Sequence, residues 1–270
     1  MNNLALAFRK LHAGAHPLCL ANAWDAASAR LIESVGAPAV ATTSAGVAWA
    51  LGFPDGNLLP IGRLADLAAN IVRLIRVPLS VDFEAGFSDS PAVVKQNVKL
   101  LLDAGVVGIN IEDGSNPPDL LVAKIDQIKQ CAIAHGTDLF VNARTDVYLQ
   151  GLVGENKRLE ETIARGRRYQ QAGADGFFVP ALAEPVQIRR IVEEVGLPLN
   201  VMAWPGQGAA DALGKLGVRR LSAGSAISQT LWAQAEALAR EFLSTGESAP
   251  LNKACKPYPE MQALFVSREI

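Results

Sequence analysis

A short apolar run recurs about every 60 residues along this chain, and that period limits its fold more than any other feature. Leu18-Cys19-Leu20-Ala21, Leu79-Ser80-Val81-Asp82, Leu139-Phe140-Val141-Asn142 and Leu199-Asn200-Val201-Met202 follow turn residues, respectively Pro17, Pro78, Asp138 and Pro198. Runs of this length with such boundaries read as buried strands. A second series lies between them, each opening on glycine: Gly36-Ala37-Pro38-Ala39-Val40, Gly105-Val106-Val107-Gly108-Ile109, Gly173-Ala174-Asp175-Gly176-Phe177 and Gly217-Val218-Arg219-Arg220-Leu221. Glycine closing a helix adopts φ > 0 without a Cβ clash, so these positions mark helix-to-strand connections. Together the two series predict eight strands.

Helical patterns fill the gaps. Asp25 is expected to cap a helix that buries Ala29, Leu31 and Ile32; Ser90-Pro91 opens one with Val94, Val98, Leu101 and Leu102 on one face; Asp119 opens another carrying Leu121, Ile125 and Ile128. A helix after each strand returns the chain to the same end of the sheet and makes the strands parallel. The expectation is a closed (β/α)8 barrel, with an open doubly wound sheet as the alternative. A length of 270 residues with 50% hydrophobic content suits one such barrel, which commonly takes about 250. The reading is one domain over 1–270, with an irregular arm from about residue 247, where Pro250, Pro257 and Pro259 fall, ending in a short helix around Met261 to Phe265.

A net charge of -2, with Arg165, Arg167 and Arg168 inside one helical segment, gives no reason to expect nucleic acid. Met1 to Lys10 lacks the apolar core of a leader, and no segment offers ~18 uninterrupted apolar residues. The expectation is a cytosolic protein with no membrane partner. Cys19, Cys131 and Cys255 are odd in number and widely spaced, which fits ordinary thiols.

In a barrel the chemistry sits at the strand C-termini, where side chains alternate with period two. Aligning the first series places Asp82 with Asn142 and, two residues on, Glu84 with Arg144; in the second series Thr43 aligns with Glu112, and Pro180 and Gly224 are their counterparts. Asp82, Glu84 and Glu112 thus gather near Arg144. Crowded carboxylates repel, so Arg144 neutralises them, a proton is held, or a divalent cation lies between them. Oxygen donors alone point to Mg²⁺ or Mn²⁺, and His12, His16 and His135 fall away from strand ends. An arginine–carboxylate network that only closes the barrel is the alternative. With no histidine at the rim, catalysis rests on a metal, Arg144, backbone amides and Tyr148.

Four segments in order resemble small members of the isocitrate lyase and phosphoenolpyruvate mutase superfamily. They are Asn22-Ala23-Trp24-Asp25-Ala26-Ala27-Ser28-Ala29 with Thr43-Ser44-Ala45-Gly46 and Leu51-Gly52-Phe53-Pro54-Asp55-Gly56; Val81-Asp82-Phe83-Glu84-Ala85-Gly86-Phe87; Ile111-Glu112-Asp113; and Ala143-Arg144-Thr145-Asp146. The resemblance implies that Asp82 ligates Mg²⁺ while Glu84 and Glu112 hold its waters, and that Asp55 contributes to catalysis from the loop after the second strand. It also implies that Thr43, Ser44 and Ala45 cradle the substrate carboxylate and that Arg144 pairs with the same oxo acid, Asp82 linking metal and substrate. Trp24 is read either as lining the site or as core. Ser222 and Gly224-Ser225 are read either as a phosphate site or as a helix start. The family's last helix is swapped between subunits, which implies a homo-oligomer, dimer or tetramer.

One departure narrows the chemistry. Lyases of this family that cut isocitrate or methylisocitrate carry a Lys-Arg/Lys-Cys-Gly-His loop after the Glu-Asp motif, whereas here the loop reads Gly114-Ser115-Asn116-Pro117-Pro118-Asp119. The leading expectation is a Mg²⁺-dependent lyase acting on a small 2-oxo or 2-hydroxy dicarboxylic acid, by C–C cleavage or decarboxylation through a metal-stabilised enolate. A phosphonopyruvate-type hydrolase or mutase and a catalytically weak 2-oxo-acid-binding protein are the alternatives.

Overall fold

The computed structural model describes residues 3–266. Its strands form one all-parallel sheet: β1 (Leu18–Leu20), β2 (Asn22–Ala23), β3 (Val40–Thr42), β4 (Leu79–Asp82), β5 (Gly108–Glu112), β6 (Phe140–Arg144), β7 (Gly176–Val179), β8 (Leu199–Met202) and β9 (Val218–Ser222). The pairing order is β1-β9-β8-β7-β6-β5-β4-β3-β2. β1 and β2 are two halves of one strand interrupted at Ala21; the first half pairs with β9 and the second with β3, so the ring closes across that break. The result is the (β/α)8 barrel that the repeat predicts.

Gly36, Gly105, Gly173 and Gly217 have φ between 90° and 98°, the left-handed turn that ends a helix. Strand pairing starts one to four residues later than the glycine-led runs suggest, because the residues between carry the chain from helix end to strand. Asp25 and Ser28 form the expected capping box, with Asp25 accepting from the Ser28 amide at 2.6 Å. Ala29 and Ile32 are buried, but Leu31 is 37% exposed and does not join the core. The helix expected from Asp119 begins at Pro118; Asp119 instead pairs with Arg168 across to the helix Arg158–Gln171.

Alternation sorts the strands. Val81, Ile109, Ile111, Val141, Ala143, Phe177 and Val201 point outward and pack under the helices in one apolar cluster. The inward residues are mostly polar, in contrast to the branched apolar layers usual in barrels. Arg220, 1% exposed, reaches across the barrel axis to Asn110 Oδ1 at 3.2 Å, which also accepts from Asn142 at 2.9 Å. Below this polar column, the N-terminal helix Asn3–Leu11 inserts Phe8 against Phe140, with His12 stacked on the same ring at 4.2 Å. A Cβ on Gly108 would lie 2.5 Å from the Phe8 ring, so glycine is what lets the plug seat. Among the described residues no helix is long and apolar enough to cross a membrane.

The eighth helix, Ala226–Thr245, leaves the barrel: of its 20 residues only Ser228 is buried. Leu231, Trp232, Leu238 and Phe242 are exposed along it. Beyond it, the short helix Tyr258–Phe265 returns to the helix Ala26–Ser34, where Arg30 Nε donates to the Leu264 carbonyl at 2.9 Å.

Candidate active site

Strand register sets the height of each rim residue. Asp82 pairs level with Asn110 and Asn110 with Asn142, while Glu112 is level with Arg144. Arg144 Nη1 lies 2.7 Å from Glu112 Oε2. Its other edge, Nε and Nη2, grips Asp146 at 2.6 and 3.1 Å, a bidentate geometry that a planar guanidinium favours. The sequence reading placed Arg144 among the acids but missed Asp146 as the group that holds it. The Arg144 guanidinium also lies 5.8 Å over the Phe178 ring.

Asp82 sits at the end of β4. Its Oδ2 accepts from the Ser44 amide at 3.3 Å, its own amide donates to Thr42 Oγ1 at 2.8 Å, and Oδ1 is buried without a hydrogen-bond partner. Burial pushes the Asp82 carboxyl up against the pull of Arg144, with Asp55 adding repulsion. Burial likewise raises Glu84, to about 7, with Asp82 and Asp55 adding to it. Glu112 is raised by burial despite Arg144 beside it. Asp82, Glu84 and Glu112 therefore compete for too little positive charge, the condition under which a cation is bound or a proton retained. Among the described residues, no three of His, Cys, Asp and Glu stand close enough to hold one ion by themselves.

Glu84 lies beyond the strand in a turn where three of four residues take positive φ: Glu84, Gly86 and Phe87 have φ of 48°, 86° and 58°. Three side chains from separate elements fix it. Asn57 Oδ1 accepts from the amides of Ala85 and Phe87 at 3.0 and 3.2 Å, and its own amide donates to Glu84 Oε2. Asn97 Nδ2 donates to the Gly86 carbonyl at 2.9 Å, and the buried Lys124 donates to the Ala85 carbonyl at 2.8 Å. None of these three stood out in the sequence. The only signal was that Asn57 lies directly after Asp55-Gly56.

On the other wall, Thr43 precedes the helix Ser44–Ala50, whose first amides have no partner within the helix. Gly46 is wedged there: a Cβ would come within 2.8 Å of Thr43 Cγ2 and 2.9 Å of Trp24 Cβ. Trp24 is thus half-buried structural backing for this helix, packed on the core cluster. Ala45 is buried in the helix's first turn. Asp55 is exposed on the loop that follows.

The chain matches the phosphoenolpyruvate phosphomutase family over residues 8–243. The protein Rv1998c of Mycobacterium tuberculosis (strain H37Rv) is 38% identical over 268 residues, 98% of each chain. The 2-methylisocitrate lyase of Escherichia coli (strain K12) is 32% identical over 209 residues, 72% of this chain and 67% of that one. A crystal structure from Burkholderia cenocepacia J2315, provisionally described as a lyase/mutase, superposes with a TM-score of 0.88 at 32% identity, covering 98% of this chain and 96% of the other. The chain belongs to the phosphoenolpyruvate mutase and isocitrate lyase superfamily. Its relatives there are enzymes, lyases and mutases among them.

Two roles that the sequence left open find no support in this geometry. Tyr148 is engaged elsewhere: its hydroxyl donates to Gln187 at 2.7 Å, and burial pushes it up to about 12. Ser222 and Gly224 do not form an open phosphate cradle, since Ser222 Oγ donates inward to Asn200 at 3.2 Å and the Gly224 amide is taken by Asn22 at 3.0 Å. The histidines are remote, as expected: His12 lies under the barrel, His16 is exposed beside Asp211, and His135 ends a helix near Asp103.

Proposed function

We propose that this protein is a Mg²⁺-dependent lyase of a small 2-oxo or 2-hydroxy dicarboxylic acid, acting by C–C cleavage or decarboxylation. The observation that carries the reading is the buried, partnerless Asp82 Oδ1 at a rim where Glu84 and Glu112 also lack enough positive charge. That donor set is all oxygen and fits Mg²⁺, or Mn²⁺, with Asp82 as direct ligand and Glu84 and Glu112 reached through water, as Mg²⁺ prefers. When bound, the ion supplies Lewis-acid stabilisation of negative charge on the 2-oxo oxygen.

The remaining steps belong to the chain. Arg144, oriented by Asp146, presents its remaining N–H groups to the substrate carboxylate, and the Ala45 amide with the Thr43 hydroxyl holds the same group from the opposite wall, where the Ser44 amide steadies Asp82. Asp55, on its exposed loop, is the carboxylate free to approach from above and move a proton. The Gly114–Asp119 loop contributes no cysteine, lysine or histidine, so the reaction is one that needs no acid from that side. The departing helix Ala226–Thr245 is covered by a second copy, in a homo-oligomer that is a dimer or tetramer, and the protein works in the cytoplasm.

A panel of 2-oxo and 2-hydroxy acids incubated with Mg²⁺ and followed by NMR tests this reading. Mg²⁺-dependent loss of a dicarboxylate such as oxaloacetate supports it. Phosphate release from phosphonopyruvate alone, or 2-oxo-acid binding without turnover, overturns it.

A further inference from the structure

Asp113, the last residue of the Ile111-Glu112-Asp113 motif, does not face the barrel mouth, and no step above uses it. Its side chain is wholly buried. Oδ2 accepts from Tyr169 Oη at 2.6 Å and Arg165 Nη1 at 2.9 Å, and Oδ1 accepts from the Asp146 amide at 2.9 Å. The Asp113 amide in turn donates to the Arg144 carbonyl at 3.2 Å. Asp113 therefore grips the chain on both sides of Thr145, at the Arg144 carbonyl and at the Asp146 amide. From this short stretch project both the Arg144 guanidinium and the carboxylate that orients it.

We infer that Asp113, anchored by Arg165 and Tyr169, is a positioning residue that sets the angle of the Arg144 fork for a 2-oxo acid's carboxylate. Arg165 and Tyr169 stand four apart on one face of the helix Arg158–Gln171, so an outer helix is tied through one carboxylate to the recognition arginine. The restraint is needed because Arg144 has carboxylates on two sides. If the Asp146 backbone shifts, its grip on Nε and Nη2 loosens, and Glu112 draws the guanidinium away from the position where it meets substrate. A bidentate contact is sensitive to displacements of this kind, and about 1 Å can cost on the order of a hundredfold. The inference rests on Arg144 binding the oxo acid, as proposed above.

The test uses oxalate, a planar stand-in for the chelating end of a 2-oxo acid, titrated calorimetrically into the Mg²⁺-loaded protein, with Mn²⁺ affinity measured separately. Asp113→Asn preserves volume. Its amide oxygen turns to the two donors, one charged, of Arg165 and Tyr169, which leaves its NH₂ against the Asp146 amide and opens the clamp. Oxalate should then bind about ten- to a hundredfold more weakly, with Mn²⁺ affinity unchanged within about twofold. The Arg144 Nε–H resonance should lose its protection from solvent exchange. Tyr169→Phe, which removes the shortest anchor and no volume beyond the hydroxyl, should weaken oxalate in the same direction by a smaller factor. A residue that served only stability would lower the melting temperature and leave both oxalate affinity and the Arg144 resonance of the folded protein unmoved. Wild-type oxalate affinity in both variants, with Arg144→Lys unable to bind it, overturns the inference. If Asp113→Asn does not fold, Tyr169→Phe alone decides. Full oxalate affinity in Arg144→Lys would instead refute the substrate reading, while the Arg144 resonance in Asp113→Asn would still report on the clamp.

Discussion

Lys124 Nζ lies 2.8 Å from the carbonyl oxygen of Ala85 and donates to it from inside the protein, between an outer helix and the turn that carries Glu84. The lysine side chain is 2% exposed, with Asp89 the nearest anion at 3.7 Å. Burial lowers its pKa, and Asp89 opposes that shift. Lys124→Met keeps the stem and removes the donor, leaving a buried carbonyl unsatisfied at a cost of about 1–3 kcal/mol. The variant should fold with a lower melting temperature and bind Mn²⁺ several-fold more weakly by calorimetry. Unchanged metal affinity would show that the turn does not need this tie.

Turnover should depend on Arg144 and on no cysteine. Cys131 is buried on an outer helix, Cys19 faces away from the rim and Cys255 lies in the tail. A variant with all three changed to serine should keep near-normal kinetics. Arg144→Lys cannot reproduce the fork on Asp146 and should lose on the order of 2 to 4 kcal/mol of transition-state stabilisation, roughly thirty- to a thousandfold in rate. A dead but folded cysteine-free protein beside an active lysine variant would reverse this assignment.

The raised Glu84 carboxyl makes metal-free stability fall with pH. Its pKa goes from 4.5 to about 7 on folding, so between those values the folded protein holds a proton that the unfolded chain has released. The stabilisation from that proton is complete below the unfolded pKa and is lost as pH rises through about 7. In EDTA, the melting temperature of the wild type should therefore drop between pH 5 and 8 relative to Glu84→Gln. Mg²⁺ should bind more tightly at the upper end and release protons as it does. A wild-type melting temperature that rises relative to Glu84→Gln over the same interval would contradict the shift.

The eighth helix predicts assembly. Trp232 is 51% exposed on a helix with Leu231, Leu238 and Phe242 also uncovered, an apolar stripe that a monomer seldom shows to water. Light scattering at micromolar concentration should report an oligomer, and Trp232→Glu should shift it toward monomer while circular dichroism stays unchanged. A monomeric wild type would leave the stripe without its proposed partner.

The strand positions and the inward face at Asp82, Glu112 and Arg144 were legible because the repeat fixes register and period two fixes direction. The turn after β4 was not. Glu84 at φ 48° is a conformation glutamate seldom takes, and nothing local announces it; it exists because Asn57, Asn97 and Lys124 impose it from three other elements. Asp146 was quoted in the motif yet its hold on Arg144 was missed, since it lies past the strand end where alternation no longer says which way a side chain points. The N-terminal plug was hidden for a related reason. Phe8 looks like one apolar residue in a short amphipathic helix until Phe140 and Gly108, far along the chain, provide its seat.

That plug makes the barrel a bottle with a single neck. Phe8 packs edge-on against Phe140 with His12 stacked on the same ring, which closes the lower end of the polar column around Arg220 and leaves the acid cluster at the opposite end. On the lyase reading proposed above, both pieces of a cut substrate would leave by that end, the piece seated beside Asp82 last.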